Sequence, residues 1–250
     1  MNSFLSSDDW KQLMDDYHLT MGEVSQQSIE VRTLSELMNE EKCRAYMEWL
    51  MKHIGSGSVR VASSMLVKRV ANLLVAPVLS AATYYNKGIG VRPEHCQLFH
   101  LAAPSAGSSF PYMVLSDARV IVPEANHRES WRAGLVKELF ADCLTPFIKT
   151  VAAVGSVSKA TLWENVMVRI APVYRCEEEQ DEAIHERMQD DFSFLAINAP
   201  GELFGMSKNP LASFAETGQD GCFIGRSRRL TCCLYYQMAP EYCLKCPKQS

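Results

Sequence analysis

The sequence predicts an α+β fold, in which a mostly helical domain carries a small antiparallel sheet and ends in a short cysteine-rich C-terminal segment. Long stretches with apolar residues at helical spacing lie on both sides of residues 88–122. Residues 88–122 themselves contain short β-rich runs punctuated by glycine, proline and serine. Four of the nine cysteines fall within residues 232–246. We therefore expect a mainly helical domain over residues 1–221 and a C-terminal segment over residues 222–250.

Three helices are expected before the β-rich region. A cluster of serine and aspartate before Trp10 offers an N-cap for a short helix near the start of the chain. Residues 33–53 place apolar side chains near one helical face, and Gly55 supplies a stop. Residues 59–85 predict a second long helix, which should bend at Pro77 because proline removes a backbone N–H from the helical hydrogen bonds.

The β-rich region contains four short runs that fit a small antiparallel sheet. These runs begin at Gly88, Cys96, Tyr112 and Arg119. The helical stretches expected after them cover residues 129–154, 158–171 and 177–194. A polar, loop-like stretch then continues to Phe223.

Composition and the N-terminal sequence exclude several classes of protein. The net charge of −4 and the pI of about 5.9 argue against a nucleic-acid partner. The first ten residues carry an acidic pair where a secretory signal would carry basic residues and then an apolar run. The longest apolar stretch, residues 70–82, is interrupted and too short to span a bilayer. We therefore expect a cytoplasmic protein without a transmembrane segment.

The cysteine pattern indicates a metal site. An odd number of cysteines in a chain that is not exported argues against a disulfide framework. Cys232 and Cys233 are adjacent, nine residues separate them from Cys243, and two residues separate Cys243 from Cys246. Four clustered thiolates suit zinc or an iron–sulfur cluster, and the spacing alone leaves both open, with four free thiols as the third possibility. An adjacent pair chelates one ion less readily than Cys-x2-Cys, because neighbouring side chains in extended chain point in opposite directions.

The C-terminal segment resembles that of the FhuF-like ferric-siderophore reductases. Their signature is an adjacent cysteine pair, about ten residues, and Cys-x2-Cys, and the spacer here is one residue shorter. Tyr235 and Tyr236 after the pair and Pro247 after the last cysteine also match. The resemblance implies that this C-terminal segment is an iron–sulfur segment. It also implies that a 2Fe–2S cluster is held by four ligands, namely Cys232, Cys233, Cys243 and Cys246.

Two earlier segments agree with this resemblance. The stretch from Gly88 through His95 to Gln97 is similar to one shared by this family and the aerobactin-type siderophore synthetases. The stretch containing Trp163 and Asn165 resembles the family's Leu-Trp-x-Asn element. The resemblance therefore covers most of the chain from about residue 60, with the cysteine motif as its most specific part.

The resemblance implies an oxidoreductase that passes one electron to siderophore-bound Fe(III), so that Fe(II) leaves the carrier. Electron transfer would run through the cluster, and the sequence identifies no separate catalytic residue. The Gly55-Ser-Gly57 run lacks the strand and the third glycine of a dinucleotide fingerprint. We therefore expect a partner redox protein, such as a ferredoxin or an NAD(P)H-dependent reductase, as the electron donor. The alternative is a siderophore-binding or regulatory protein with a structural zinc site.

Three arginines precede the cysteine pair and are candidate substrate-binding residues: Arg226, Arg228 and Arg229. They would attract an anionic ferric chelate or an acidic ferredoxin, or donate to cluster sulfurs. The alternative is a solvated charge run that aids solubility and pairs with the acidic helix. Elsewhere, His95 and His100 fit structural histidines better than metal ligands, and Trp163 fits a core anchor.

Overall fold

The fold is α+β, as the sequence predicts. The computed structural model describes residues 5–102, 109–175, 181–216, 223 and 226–249. Within these residues the helices are α1 (Ser7–Tyr17), α2 (Leu34–Leu37), α3 (Glu40–His53), α4 (Val59–Val70), α5 (Ala76–Tyr84), α6 (Arg128–Lys137), α7 (Thr145–Gly155), α8 (Lys159–Ile170) and α9 (Glu182–Ser193). The strands are β1 (Leu19–Met21), β2 (Ser28–Thr33), β3 (Gly88–Gly90), β4 (Cys96–Leu101), β5 (Tyr112–Leu115) and β6 (Arg119–Ile121). The expected boundary at residues 221 and 222 lies outside the described residues.

The helix predicted over residues 33–53 forms two helices, and a strand that was not predicted precedes them. Residues 28–33 form strand β2, and the helical stretch that follows is divided into α2 and α3. The division occurs because the side chain of Asn39 accepts a hydrogen bond from the N–H of Lys42 and so starts a new helix. The short N-terminal helix is confirmed, and Ser6 caps it through a reciprocal capping box with Asp9.

The second long helix is confirmed and runs without interruption from Val59 to Tyr84. Its residues Ala71–Val75 adopt π-helical geometry just before Pro77, so the wider turn accommodates the proline ring and its missing N–H. By length and composition this helix could cross a membrane, but 83% of its most apolar window is buried within the protein. That burial is the environment of a core helix.

A second continuous helical stretch with a π-helical segment covers residues 128–155. It consists of α6, a π-helical segment over Glu138–Leu144, and α7, which has Pro146 in its first turn. Helix α8 follows as predicted, and α9 continues into a π-helical segment over Phe194–Asn198. Residues 177–180 of the predicted acidic helix lie outside the described residues. The loop-like stretch contains only short 3-10 turns at Gly201–Phe204 and Ala212–Phe214 within its described part.

The principal sheet is mixed, whereas a purely antiparallel one was expected. Its strand order is β1-β5-β4-β2, in which β1 runs parallel to β5 and the other pairs are antiparallel. In register, Leu98 lies opposite Met113 and Val31 lies opposite Phe99. Strands β3 and β6 form a separate antiparallel pair. The difference arises because β1, a three-residue strand that the sequence pattern did not indicate, pairs with β5.

One apolar core unites the helices. Many of its buried side chains come from helices α4, α7 and α8, and Trp163 of α8 packs against Phe140 and Phe204, with ring centroids 6.2 and 6.3 Å away. Trp163 is therefore a core anchor, as expected. A smaller cluster joins Val61 of α4 to Cys233 of the C-terminal segment, and this cluster leads to the candidate site.

Candidate metal centre and adjoining cavity

The part of the C-terminal segment at residues 226–249 docks on α4 through a buried serine. The hydroxyl of Ser64 donates to the carbonyl oxygen of Cys233 at 2.7 Å. Asn165 of α8 donates from Nδ2 to both the hydroxyl and the carbonyl oxygen of Ser64, each at 2.9 Å. Ser64 and Asn165 are both fully buried. The backbone at the cysteine pair is thus fixed to two core helices.

A buried carboxylate fixes the chain just before the cysteine pair. Glu164 of α8 accepts hydrogen bonds from the backbone N–H groups of Leu230 at 2.6 Å and Thr231 at 2.8 Å, and from the Thr231 hydroxyl. Its Oε2 also lies 3.4 Å from Nε of Arg229, whose Nη2 donates to Oδ1 of Asn165 at 2.7 Å. Glu164 is 3% exposed and Arg229 is 5% exposed, so this ion pair is shielded from water.

One backbone hydrogen bond joins the chain before the cysteine pair to the Cys-x2-Cys turn, and another closes that turn. The N–H of Arg229 donates to the carbonyl oxygen of Lys245 at 2.9 Å, and the N–H of Cys246 donates to that of Cys243 at 2.9 Å. Leu234, directly after the cysteine pair, adopts a left-handed conformation with φ of 67°. That conformation turns the chain sharply after Cys233.

The cysteine sulfurs approach one another as free thiols. Sγ of Cys233 lies 3.5 Å from Sγ of Cys243, and the N–H of Leu234 donates to Sγ of Cys232 at 3.4 Å. Burial raises the pKa of Cys243 to about 11, with further contributions from its hydrogen bond to Cys233. Burial also raises the pKa of Cys232, and the neighbouring Cys233 and Cys246 add to that rise. Within the described part of the chain, no three His, Cys, Asp or Glu side chains converge closely enough to hold one metal ion.

These residues fit a thiolate-bound metal group. A tetrahedral ion with metal–sulfur bonds of about 2.3 Å separates its sulfur ligands by about 3.8 Å. The 3.5 Å separation of the Cys233 and Cys243 sulfurs is close to that value. Their donor set of soft sulfurs suits zinc or an iron–sulfur cluster. Binding of either would release the protons that the buried thiols hold.

A cavity of about 550 Å³ adjoins the cysteines. Its walls come from the C-terminal half of α8 and from the C-terminal segment, and they include Cys243. All three candidate arginines line it, but in different states. Arg226 pairs with Glu216 at 2.9 Å, Arg228 is exposed, and Arg229 is committed to Glu164 and Asn165. In the described residues, none of the three pairs with the acidic helix α9, whose Asp190 and Asp191 bind Arg128 and Arg132.

The two histidines of the β-rich region form hydrogen bonds with residues outside the cysteine motif. His100 is 1% exposed, its Nε2 lies 2.9 Å from the Tyr46 hydroxyl, and its Nδ1 lies 3.2 Å from the carbonyl oxygen of Ser109. Burial, together with His53, lowers the pKa of His100 to about 4. His100 is therefore a satisfied structural histidine. His95 contacts Ser116 at 3.1 Å on the surface of the sheet.

Several residues of the site were not identified from the sequence. Ser64 and Glu164 hold the C-terminal segment, and Lys68 and Arg169 line the cavity. The sequence held a signal for Glu164. Glu164 and its neighbour Asn165 are polar residues inside an otherwise apolar stretch of helix, and buried polar groups require partners. The other residues carry no comparable signal.

Comparison with known proteins shows a likeness in fold. No family model matches the chain, and no curated protein does. Among solved structures, the fold is similar to ATP-bound aerobactin synthetase IucA from a hypervirulent pathotype of Klebsiella pneumoniae, with a TM-score of 0.55 and 13% identity. The match covers 82% of this chain and 46% of the synthetase chain, so this chain spans less than half of that protein. At this identity the likeness shows a shared fold.

Proposed function

We propose that this protein is a cytoplasmic ferric-siderophore reductase that transfers one electron to siderophore-bound Fe(III) through a 2Fe–2S cluster held by Cys232, Cys233, Cys243 and Cys246. The observation that carries the proposal is the 3.5 Å approach of the Cys233 and Cys243 sulfurs at the wall of a cation-lined cavity. A thiolate group and a cavity for an anionic ligand are the two components that such a reductase requires. The resemblance of the cysteine motif and the fold shared with a siderophore-related synthetase support the same assignment.

The resemblance of the cysteine motif favours a two-iron centre over zinc. A 2Fe–2S cluster takes two thiolates on each iron, whereas structural zinc needs four ligands around one ion. Cys233 and Cys243 approach each other as a pair, and the resemblance implies that Cys232 and Cys246 complete the ligand set. A bound cluster would supply reversible one-electron chemistry. A structural zinc site remains the competing assignment.

The surrounding residues would hold and tune this group. Lys68 and Arg229 interact electrostatically with Cys243, so both cations would offset the negative charge of bound thiolates. The N–H of Leu234 already donates to a cysteine sulfur, a contact that favours the reduced state of such centres by stabilising negative charge. The cavity would place an anionic chelate against Cys243. Ferrous iron binds hard oxygen ligands weakly, so its release follows reduction.

The electron donor in this proposal is a second redox protein, since the sequence lacks a dinucleotide fingerprint. Reduction of the purified protein by NADPH alone would contradict this part of the proposal. A ferredoxin or an NAD(P)H-dependent reductase added in catalytic amount should restore electron flow.

An anaerobic reductase assay tests the function. The dithionite-reduced protein, freed of excess reductant, is mixed with a panel of ferric chelates while a ferrous-specific dye records Fe(II). We expect Fe(II) to form with wild type and to be lost in Cys233→Ser and Cys243→Ser. Cys43→Ala, which alters a buried thiol of α3 outside the C-terminal segment, is the matched control and should retain activity. Equal rates in wild type and in both serine variants would reject the assignment.

A further inference from the structure

Several cationic side chains line the cavity beside Cys243, and some of their nitrogens lack hydrogen-bond partners. In the described part of the chain, six buried side-chain nitrogen or oxygen atoms lack a hydrogen-bond partner, and three of them belong to arginines that line this cavity. These three atoms are Nε of Arg169, Nε of Arg226 and Nη1 of Arg229. Buried donors without partners are uncommon and costly in folded proteins. These three nitrogens are themselves inaccessible to water, so a ligand in the cavity would contact other atoms of the same arginines.

Lys68 and Arg169 are lining cations without a carboxylate partner among the described residues. Both are partly buried, Lys68 on α4 and Arg169 on α8, and burial lowers the pKa of each. Among the described residues, no carboxylate lies within 4.0 Å of either group. Arg169 and Arg229 repel the Lys68 ammonium. Holding these like charges together costs free energy that an anion would offset.

The acidic residues near the cavity do not neutralise it. Glu164 is saturated by Arg229 and by the backbone of the C-terminal segment, and Glu216 pairs with Arg226. Glu241, an exposed residue, is the remaining carboxylate among the described lining residues. The lining cations are Lys68, Arg169, Arg175, Arg226, Arg228, Arg229 and Lys245. The cavity is therefore strongly positive across its described walls.

The size and the remaining walls of the cavity define the ligand further. A volume of about 550 Å³ is within the range of small-molecule sites, about 300–1,000 Å³. Four aromatic residues share the lining with the cations: Phe214, Phe223, Tyr235 and Tyr242. The ligand should thus combine several anionic groups with an organic body. Guanidinium forks match the planar geometry of carboxylates particularly well.

We propose that this cavity binds a small molecule bearing several carboxylate groups, with Lys68 and Arg169 as its inner anchors and Arg228 as an outer contact. The identification of that molecule as a ferric polycarboxylate chelate rests on the proposed reductase function. The anion site itself rests only on the cavity and the excess of cations in its walls. Phosphate-rich ligands share the affinity for guanidinium, so the test compares both classes.

Binding of gallium(III) citrate tests the inference without electron transfer, because gallium(III) is a redox-inert substitute for Fe(III). Isothermal titration of the full chain should detect binding that weakens as salt is raised. Arg169→Gln should weaken it by about tenfold or more, since the loss of one partner of a buried charge pair is costly, and Arg169→Lys should recover part of the loss. Arg119→Gln, which alters an exposed cation on β6, should bind as wild type does.

A second readout separates a ligand contact from a structural role. Removing an uncompensated buried charge should leave the Tm of the ligand-free Arg169→Gln protein at or above that of wild type. Affinity for gallium citrate that is equal in Arg169→Gln and Arg119→Gln would overturn the proposal. Tighter binding of inorganic pyrophosphate than of gallium citrate would overturn the carboxylate assignment. If the protein proves to contain zinc and still binds gallium citrate, the reductase function is rejected and the anion site is supported.

Discussion

The carboxylate of Glu164 and the guanidinium of Arg229 form a buried ion pair, with 3.4 Å between Oε2 and Nε, that joins core helix α8 to the cysteine-bearing segment. The same carboxylate accepts from the backbone of Leu230 and Thr231. One side chain therefore sets the position of the chain directly before Cys232. The arrangement predicts that a substitution at Glu164 shifts the position of the cysteines.

Replacement of Glu164 by glutamine should undock the C-terminal segment. The amide leaves the buried Arg229 without its counter-charge, and breaking such a pair costs about 3–5 kcal/mol. Limited trypsin digestion should then cut the basic residues of the 226–248 segment faster than in wild type, and metal content should fall.

Asp191→Asn is the matched control for this variant. Asp191 is equally buried and accepts from Thr83, Arg128 and Arg132, so its loss should lower global stability by a comparable amount. The C-terminal segment should nevertheless stay protected below the unfolding transition. Equal trypsin sensitivity of the two variants at low temperature would contradict a specific role for Glu164.

Replacement of Ser64 by alanine should weaken the same docking less severely. The change removes the donor to the Cys233 carbonyl, and one buried acceptor left unsatisfied costs about 1–3 kcal/mol. Ser63→Ala is the neighbouring control, because its hydroxyl donates to the thioether of Met47, a weak acceptor. Urea unfolding should show the larger loss for Ser64→Ala. A larger loss for Ser63→Ala would argue against the docking role of Ser64.

Stability should fall in mild acid because of His100. Its folded pKa is about 4, whereas an unfolded histidine titrates near 6.5. The unfolded state therefore binds more protons between these values, and stability decreases as the pH falls through this window. We expect a loss of about 2 kcal/mol between pH 7 and pH 5 from this residue.

The variant His100→Gln isolates that contribution. It keeps an acceptor for the Tyr46 hydroxyl but does not titrate, so its stability should change less over the same pH interval. Urea unfolding of both proteins at pH 7 and pH 5 gives the comparison. Identical pH dependence in the two proteins would show that His100 is not the source.

The sequence was most informative where one local rule decides the outcome. Apolar spacing over residues 59–85 predicted one long helix, and that helix is present, with a π-helical segment at Ala71–Val75 that the sequence did not predict. Helices α6 to α8 follow their apolar spacing closely. Strand β2 was missed because its residues are half-buried without a clear alternation, and α2 was merged with α3 because the cap at Asn39 interrupts a pattern that is apolar on both sides.

Only part of the candidate site could be predicted from the sequence, because several of its residues come together only through long-range packing. The four cysteines lie close together along the chain, so their spacing alone indicates a metal site. Lys68 and Arg169 are ordinary helix residues in sequence, and their significance arises only when α4, α8 and the C-terminal segment pack together. Ser64 is similarly unremarkable until Cys233 lies beside it. Long-range packing of this kind leaves no local pattern.

The most direct test of the account is the metal and sulfide content of protein isolated without oxygen. We predict iron and acid-labile sulfide in equal amounts, two of each per chain, with visible absorbance that bleaches on addition of dithionite. Cys232→Ser and Cys246→Ser should lower both contents, because each removes a ligand. Zinc at one ion per chain, with neither iron nor sulfide, would contradict the account.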